Sequence, residues 1–170
     1  EVLAEQHAIG LLRDLAGLTV VSGEGSLFPE RELRVALLTN RVTGAEHIPA
    51  EGSGLILCKH QSAFETLALQ VIFPPVVFIL KQELLRIPVW GWAMATLEPI
   101  AIDRQARSVA LKQILRDGVK RIATGRWVVL FPEGTRVAPG QRRRFGSSGG
   151  LLAQRARCPV IPVAHNAGEF

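Results

Sequence analysis

His60 and Glu65, in the run Lys59-His60-Gln61-Ser62-Ala63-Phe64-Glu65, are a base and a carboxylate close enough in the chain for proton-transfer chemistry. On one regular helix, residues five apart do not share a face, whereas residues three or four apart do. A turn at His60 followed by a helix starting near Ser62 changes that. Glu65 in the helix's first turn can then reach the imidazole. The carboxylate would hold one ring nitrogen while the other serves as a general base. Taken alone, a histidine just after a strand is more often structural than catalytic.

Three later segments add polar groups of similar character. Asp103-Arg104-Gln105 reads either as a surface turn with Asp103 capping the next helix or as a guanidinium aimed at a phosphate. In Phe131-Pro132-Glu133-Gly134-Thr135-Arg136, Pro132 and Gly134 bend the chain, so Glu133, Thr135 and Arg136 project from a tight turn. A solvated turn would look the same. Arg142, Arg143 and Arg144 precede Gly146-Ser147-Ser148-Gly149-Gly150, a loop that is either simply exposed or able to offer backbone N–H groups to an anion. It lacks the Lys-Ser/Thr ending of a nucleotide-binding P-loop. There is no H-E-x-x-H or clustered Cys/His spacing for a metal, and no G-x-S-x-G elbow of an α/β-hydrolase.

Positioning these groups falls to short apolar runs that alternate with helical stretches. Strands are expected over 55–58, 76–80, 99–102, 127–131 and 160–164, from their β-branched and apolar composition. Helices are expected over 62–73, ending before Pro74-Pro75, and over 106–124, with apolar Val109, Ile114, Leu115, Val119 and Ile122. Another is expected over 149–157, and one or two short helices over 83–97, broken by Pro88 and Gly91. Helices over 4–19 and 30–39, around a loop at 22–26, are expected before these. The pattern predicts an α/β fold, a mostly parallel sheet flanked by helices, in a single domain spanning 1–170. In such sheets ligands bind beyond the strand ends.

The 170 residues are enough to bury a sizeable core, and a 48% hydrophobic composition argues against disorder. A net charge of +5 suits phosphate-bearing partners. Cys58 and Cys158 sit in apolar runs and read as buried thiols, with a nucleophilic Cys58 the lesser alternative. No run of about 18 to 20 apolar residues spans a bilayer, and no secretory signal opens the chain. Membrane contact is therefore expected to be peripheral. The basic run lacks the interleaved aromatics of a single-strand nucleic-acid platform, so no nucleic-acid partner is expected.

Together these segments resemble the phospholipid and glycerolipid acyltransferase family, of the 1-acyl-sn-glycerol-3-phosphate acyltransferase type. The family's N-H-x-x-x-x-D motif reads Lys59-His60 to Glu65 here. Its second motif is similar to Ala101-Ile102-Asp103-Arg104, its third matches Phe131 to Arg136 in full, and its fourth resembles Val160-Ile161-Pro162-Val163-Ala164-His165-Asn166. The resemblance runs from about Arg41 to Gly168, and four ordered motifs are specific where none is singly. Glu65 stands in place of the usual Asp. Gly146 stands where many relatives carry Lys, with Arg142, Arg143 and Arg144 close by. Residues 1–40 lack the hydrophobic anchoring helices common in relatives.

The resemblance implies a glycerol-3-phosphate acyltransferase-like fold and a reaction. His60 would deprotonate the free hydroxyl of lysophosphatidic acid, which attacks an acyl-CoA or acyl-acyl carrier protein thioester, giving phosphatidic acid for phospholipid synthesis. Glu65 would hold and stabilise the imidazole. Arg104 and Arg136 would bind the acceptor phosphate. Glu133, Gly134 and Thr135 would position the acceptor, and Ile161 and Pro162 would border the acyl site. No cofactor is implied beyond the thioester co-substrate. The place implied is the cytoplasmic face of the inner membrane, against anionic lipid. Another lyso-lipid acceptor, such as a lyso-ornithine lipid, or an inactive lipid-binding domain, remains open on the motifs.

Overall fold

The structure, a computed structural model, describes residues 42–73 and 75–169. The helices expected over 4–19 and 30–39 and the loop at 22–26 lie outside the described residues. The chain divides into two units, Glu1–Pro49 and Ala50–Phe170. In the first, the described residues hold a 3-10 turn at Ala45–His47 that follows Gly44, whose φ of 83° is left-handed.

The second unit is built on five strands, β1 (Leu55–Cys58), β2 (Val76–Lys81), β3 (Ile100–Ile102), β4 (Trp127–Leu130) and β5 (Val160–Val163). They form one sheet in the order β3-β2-β4-β1-β5. Every pairing is parallel, with Leu55 opposite both Val128 and Val160, and Ile79 opposite Ile100. Parallel strands all end at the same edge of the sheet, so the residues that follow β1, β3, β4 and β5 emerge on one rim. β4 is buried at all four positions, which explains its unbroken Trp-Val-Val-Leu run. The outermost β5 has no buried position, so its apolar run reflects a sheet edge.

Among the described residues, four helices accompany the sheet: α1 (Phe64–Ile72), α2 (Trp90–Thr96), α3 (Arg107–Ala123) and α4 (Ser148–Ala156), with a further 3-10 turn at Gln82–Arg86. On α3, Ala110, Ile114, Gly118 and Ile122 recur every fourth residue and are buried, the stripe that a helix presents to a sheet. The stripe packs with Val77, Ile100, Ile102, Val128, Leu130 and with Leu152 of α4. Gly118 lets α4 come close, because a Cβ there would stand 2.8 Å from the Leu152 methyls. Val109 lies off the stripe and is 59% exposed, so the apolar set read from sequence was one residue too wide.

The remaining differences are at boundaries. Most elements shift by one or two residues at their ends. Gly91 does not break α2 but lies within it, where a Cβ would collide with the carbonyl of Leu85. Cys58 is buried as expected, whereas Cys158 is half-buried, and both are free thiols. Gly54, at the entrance to β1, has a more demanding task. A Cβ there would lie 2.6 Å from the carbonyl oxygen of Pro159, and Leu55 N–H donates to that same oxygen at 3.0 Å. Gly54→Ala must therefore push β1 from the approach to β5, at a cost of about 1–3 kcal/mol. Thermal or denaturant unfolding measures this, and an unchanged midpoint would show that the contact is not restrictive.

Candidate active site

The chain leaves β1 at Cys58 and turns through Lys59, His60, Gln61 and Ser62 before α1 begins at Phe64. Glu65 lies in the first turn of α1, where the unpaired N–H groups of a helix start attract a carboxylate. It folds back onto the turn that precedes it. Oε1 accepts from Gln61 N at 2.8 Å and Ser62 N at 2.9 Å, and lies 2.7 Å from His60 Nδ1. Oε2 accepts from Ser62 Oγ at 2.6 Å and Ser62 N at 3.0 Å. Ser62 Oγ in turn accepts from Phe64 N at 3.0 Å, tying the turn to the helix.

Glu65 is only 3% exposed. Burial pushes its carboxyl upward, but hydrogen bonds from His60, Ser62 and Gln61 outweigh that and hold it at about 2. A carboxylate that stays ionised can only accept, so the imidazole nitrogen facing it carries the proton. His60 Nε2 is then the nitrogen with a free lone pair, and it has no partner among the described residues. The ring stacks on Phe131 with centroids 4.1 Å apart and planes 16° from parallel. Its side chain is 18% exposed, which shields one face and leaves access to the base. Such an arrangement can remove a proton from a hydroxyl brought to Nε2.

A second buried carboxylate supports the same histidine from the end of β4. Glu133 Oε2 accepts from His60 N at 3.3 Å, and Glu133 Oε1 pairs with Lys59 Nζ at 3.0 Å. Lys59 Nζ also donates to the carbonyl of Gln141 at 3.1 Å. The carbonyl of Lys59 lies 2.6 Å from His165 Nε2, and His165 Nδ1 accepts from Ala167 N at 3.2 Å. The proton of His165 therefore sits on Nε2. Val137 N donates to the carbonyl of His60 at 2.8 Å. None of these long-range partners was legible in the sequence: Lys59 and Glu133 are 74 residues apart, and Lys59 and His165 are 106 apart.

Cys58, two residues before the histidine, is not an activated nucleophile. Burial, then the charges of Glu65 and Glu133, push its thiol up to about 12, so the thiolate needed for attack is scarce.

A cavity of about 800 Å³ opens beside this constellation. Its apolar walls include Ile79, Ile102, Ala110, Ile114 and Leu130, while Arg104, Arg107, Arg143 and Arg144 add cations. Phe131 and Glu133, the stacking and hydrogen-bonding partners of His60, also line it, as do Gly134 and the Gly146–Ser147–Ser148 approach to α4. Arg104 Nη1 donates to the carbonyl of Gly134 at 2.7 Å. Gly134 closes the turn begun at Phe131, with its N–H on the Phe131 carbonyl at 3.0 Å and φ at +70°, a conformation glycine accepts without strain.

The structure thus gathers His60, Glu65, Glu133, Gly134 and Arg104 in one region. Arg136 is exposed and Thr135 half-buried, and neither is among the cavity walls. Ile161 and Pro162 lie on edge strand β5, with Pro162 opposite Leu57, and are likewise not among those walls. Asp103 does not cap α3. Its Oδ1 accepts from Gln105 N at 2.8 Å within the turn, and the helix starts later, at Arg107, with Ala106 at its N-cap and no side-chain cap. Among the described residues, no three His, Cys, Asp or Glu side chains converge on a possible metal site.

A family model described as Acyltransferase matches residues 39–166. A curated 1-acyl-sn-glycerol-3-phosphate acyltransferase from Pseudomonas aeruginosa is 48% identical over 136 residues, covering 80% of this chain and 52% of that protein. One from Saccharomyces cerevisiae is 31% identical over 128 residues, covering 72% and 41% respectively. The chain therefore spans about half the length, or less, of these curated relatives. Among solved structures, the 1-acyl-sn-glycerophosphate (LPA) acyltransferase of Thermotoga maritima superposes with a TM-score of 0.57 at 28% identity, covering 69% of this chain and 46% of that one.

The ionised state of Glu65 makes stability depend on acidity. Its folded value, about 2, lies below the ordinary 4.5, so its contribution is complete above about pH 4.5 and is lost as pH falls toward 2. Denaturant unfolding should show wild type losing up to about 3 kcal/mol more than Glu65→Gln across that window. Parallel acid limbs in the two proteins would contradict the assignment.

Proposed function

The chain belongs to the acyltransferase family, and on that premise we propose that it acylates the free hydroxyl of 1-acyl-sn-glycerol-3-phosphate, giving phosphatidic acid. The observation that carries this reading is the His60–Glu65 pair, with Nδ1 held at 2.7 Å by the carboxylate and Nε2 left to act as a base. In this mechanism Nε2 takes the hydroxyl proton as the acceptor oxygen attacks the thioester carbonyl carbon. The tetrahedral species collapses, the C–S bond breaks, and the imidazolium returns its proton to the departing thiolate. Glu65 stabilises the imidazolium without taking the proton, because its carboxyl is held well below the usual carboxylate range. No acyl group is carried on the protein.

The cavity supplies both kinds of surface that such an acceptor needs. Its apolar walls suit hydrocarbon, and its arginines suit a phosphate, for which the planar guanidinium is well shaped. In our reading Arg104 binds the phosphate, with Arg107, Arg143 and Arg144 adding positive potential where relatives often carry the lysine that Gly146 replaces. Arg136, exposed beyond the cavity, serves as an outer phosphate contact, and Thr135 supports the acceptor turn. Ile161 and Pro162 border the acyl site from the β5 side. The donor is acyl-CoA or acyl-acyl carrier protein, with no cofactor. The net charge of +5 suits peripheral contact with anionic lipid at the cytoplasmic face of the inner membrane. No helix among the described residues is long and apolar enough to cross a bilayer.

Two outcomes test the reading. His60→Ala should lower acyl transfer to lysophosphatidic acid by on the order of a thousandfold while retaining the wild-type circular dichroism spectrum. Normal turnover in that variant would remove the proposed base. Arg104→Ala should raise the KM for lysophosphatidic acid by roughly ten- to hundredfold, and leave a lyso-acceptor without a phosphomonoester much less affected. Equal loss on both acceptors, or a wild-type preference for the one without a phosphomonoester, would reassign the acceptor.

A further inference from the structure

We infer that Lys59 and Glu133 form a clamp that aims His60, and that Glu133 acts on the histidine's backbone rather than on the acceptor. The inference rests on the acyl-transfer reading above and changes the part given to Glu133. Both of its oxygens are already engaged within the chain. Oε2 holds the His60 N–H and Oε1 holds the Lys59 ammonium. Its side chain is 2% exposed, against 30% for that of Lys59, so the acid is enclosed and the lysine closes over it.

The arrangement follows from electrostatics. A carboxylate buried with one backbone N–H for company is poorly compensated, and a neighbouring ammonium restores the balance. Lys59 can do this because it also anchors itself elsewhere, donating to the Gln141 carbonyl. Its own carbonyl is held by His165, and the carbonyl of His60 by Val137 N–H. The two residues that leave β1 are thus gripped from the segments after β4 and after β5. Phe131, two residues before Glu133, supports the imidazole face. One turn therefore fixes both the backbone and the ring of the histidine, while Glu65 sets its rotation. Loss of the grip should let the base drift, which lowers the chemical rate without weakening acceptor binding.

The experiment compares wild type, Lys59→Met and Glu133→Gln by steady-state kinetics with lysophosphatidic acid and acyl-CoA, and by amide hydrogen exchange at His60. Lys59→Met strands the buried acid. Glu133→Gln keeps the shape but has one acceptor oxygen for two donors, and its NH₂ opposes the other. Each variant should lose on the order of ten- to hundredfold in kcat, with the acceptor KM within about twofold of wild type. The His60 amide should exchange about tenfold faster in each. Should Lys59→Met fail to fold, Glu133→Gln, which leaves no fully buried charge because Lys59 is partly exposed, decides the matter alone. A raised acceptor KM with wild-type kcat in Glu133→Gln would return that residue to the acceptor and overturn the clamp. Wild-type kcat and amide protection in the folded variants would overturn it equally. If wild type itself turns over no lysophosphatidic acid, the functional reading fails, and the His60 amide alone then rules on the clamp.

Discussion

A carboxylate almost wholly out of water must be surrounded by donors, and the donors around Glu65 are the residues that carry the imidazole. His60 Nδ1, Gln61 N, Ser62 N and Ser62 Oγ all converge on it. Satisfying the buried charge therefore folds the turn, and folding the turn determines which ring nitrogen bears the proton. Stability and chemistry share this one interaction. The extra methylene of Glu relative to Asp is taken up by the carboxylate reaching back over the start of α1, where Ser62 meets both of its oxygens.

The parallel sheet gives that turn its neighbours. With order β3-β2-β4-β1-β5, β4 lies beside β1, so the Phe131 to Gly134 turn emerges next to His60. It brings a ring to the imidazole and a second buried carboxylate to the backbone. β3 lies on the far side of β2, yet Arg104 spans back to the Gly134 carbonyl. The wall of the cavity is completed by α3, whose buried stripe sits against β3, β2 and β4. The aliphatic surface and the arginines are thus products of the same packing that makes the core.

The sheet was legible because buried parallel strands are short unbroken apolar runs, and 55–58, 76–80 and 127–131 are such runs, too short for a typical helix. The His60–Glu65 contact was legible because it depends only on a local turn and a helix start. Beyond that range, sequence carried little. Nothing in Lys59 points to Glu133 or to Gln141, since such pairings exist only once β1 and β4 lie side by side. Asp103 suits a helix cap by type, one of two readings its segment allows, but the chain makes a further turn before α3 and the side chain closes that turn instead. The resemblance alone points to Ile161 and Pro162; register places them on an edge strand, a fact that alternation does not reveal. By type Val109 groups with the core, although the packed stripe runs through Ala110 and Gly118, residues too small to stand out by hydrophobicity.

With its proton on Nδ1 and directed at an ionised Glu65, His60 keeps a free lone pair on Nε2, which the proposed reaction requires. Nitrogen-15 NMR of the histidine-labelled protein, with His60 assigned by substitution, reads this directly in the neutral imidazole. Nδ1 should show the shift of a protonated ring nitrogen and Nε2 that of an unprotonated one. The reverse pattern, with the proton on Nε2, would contradict it.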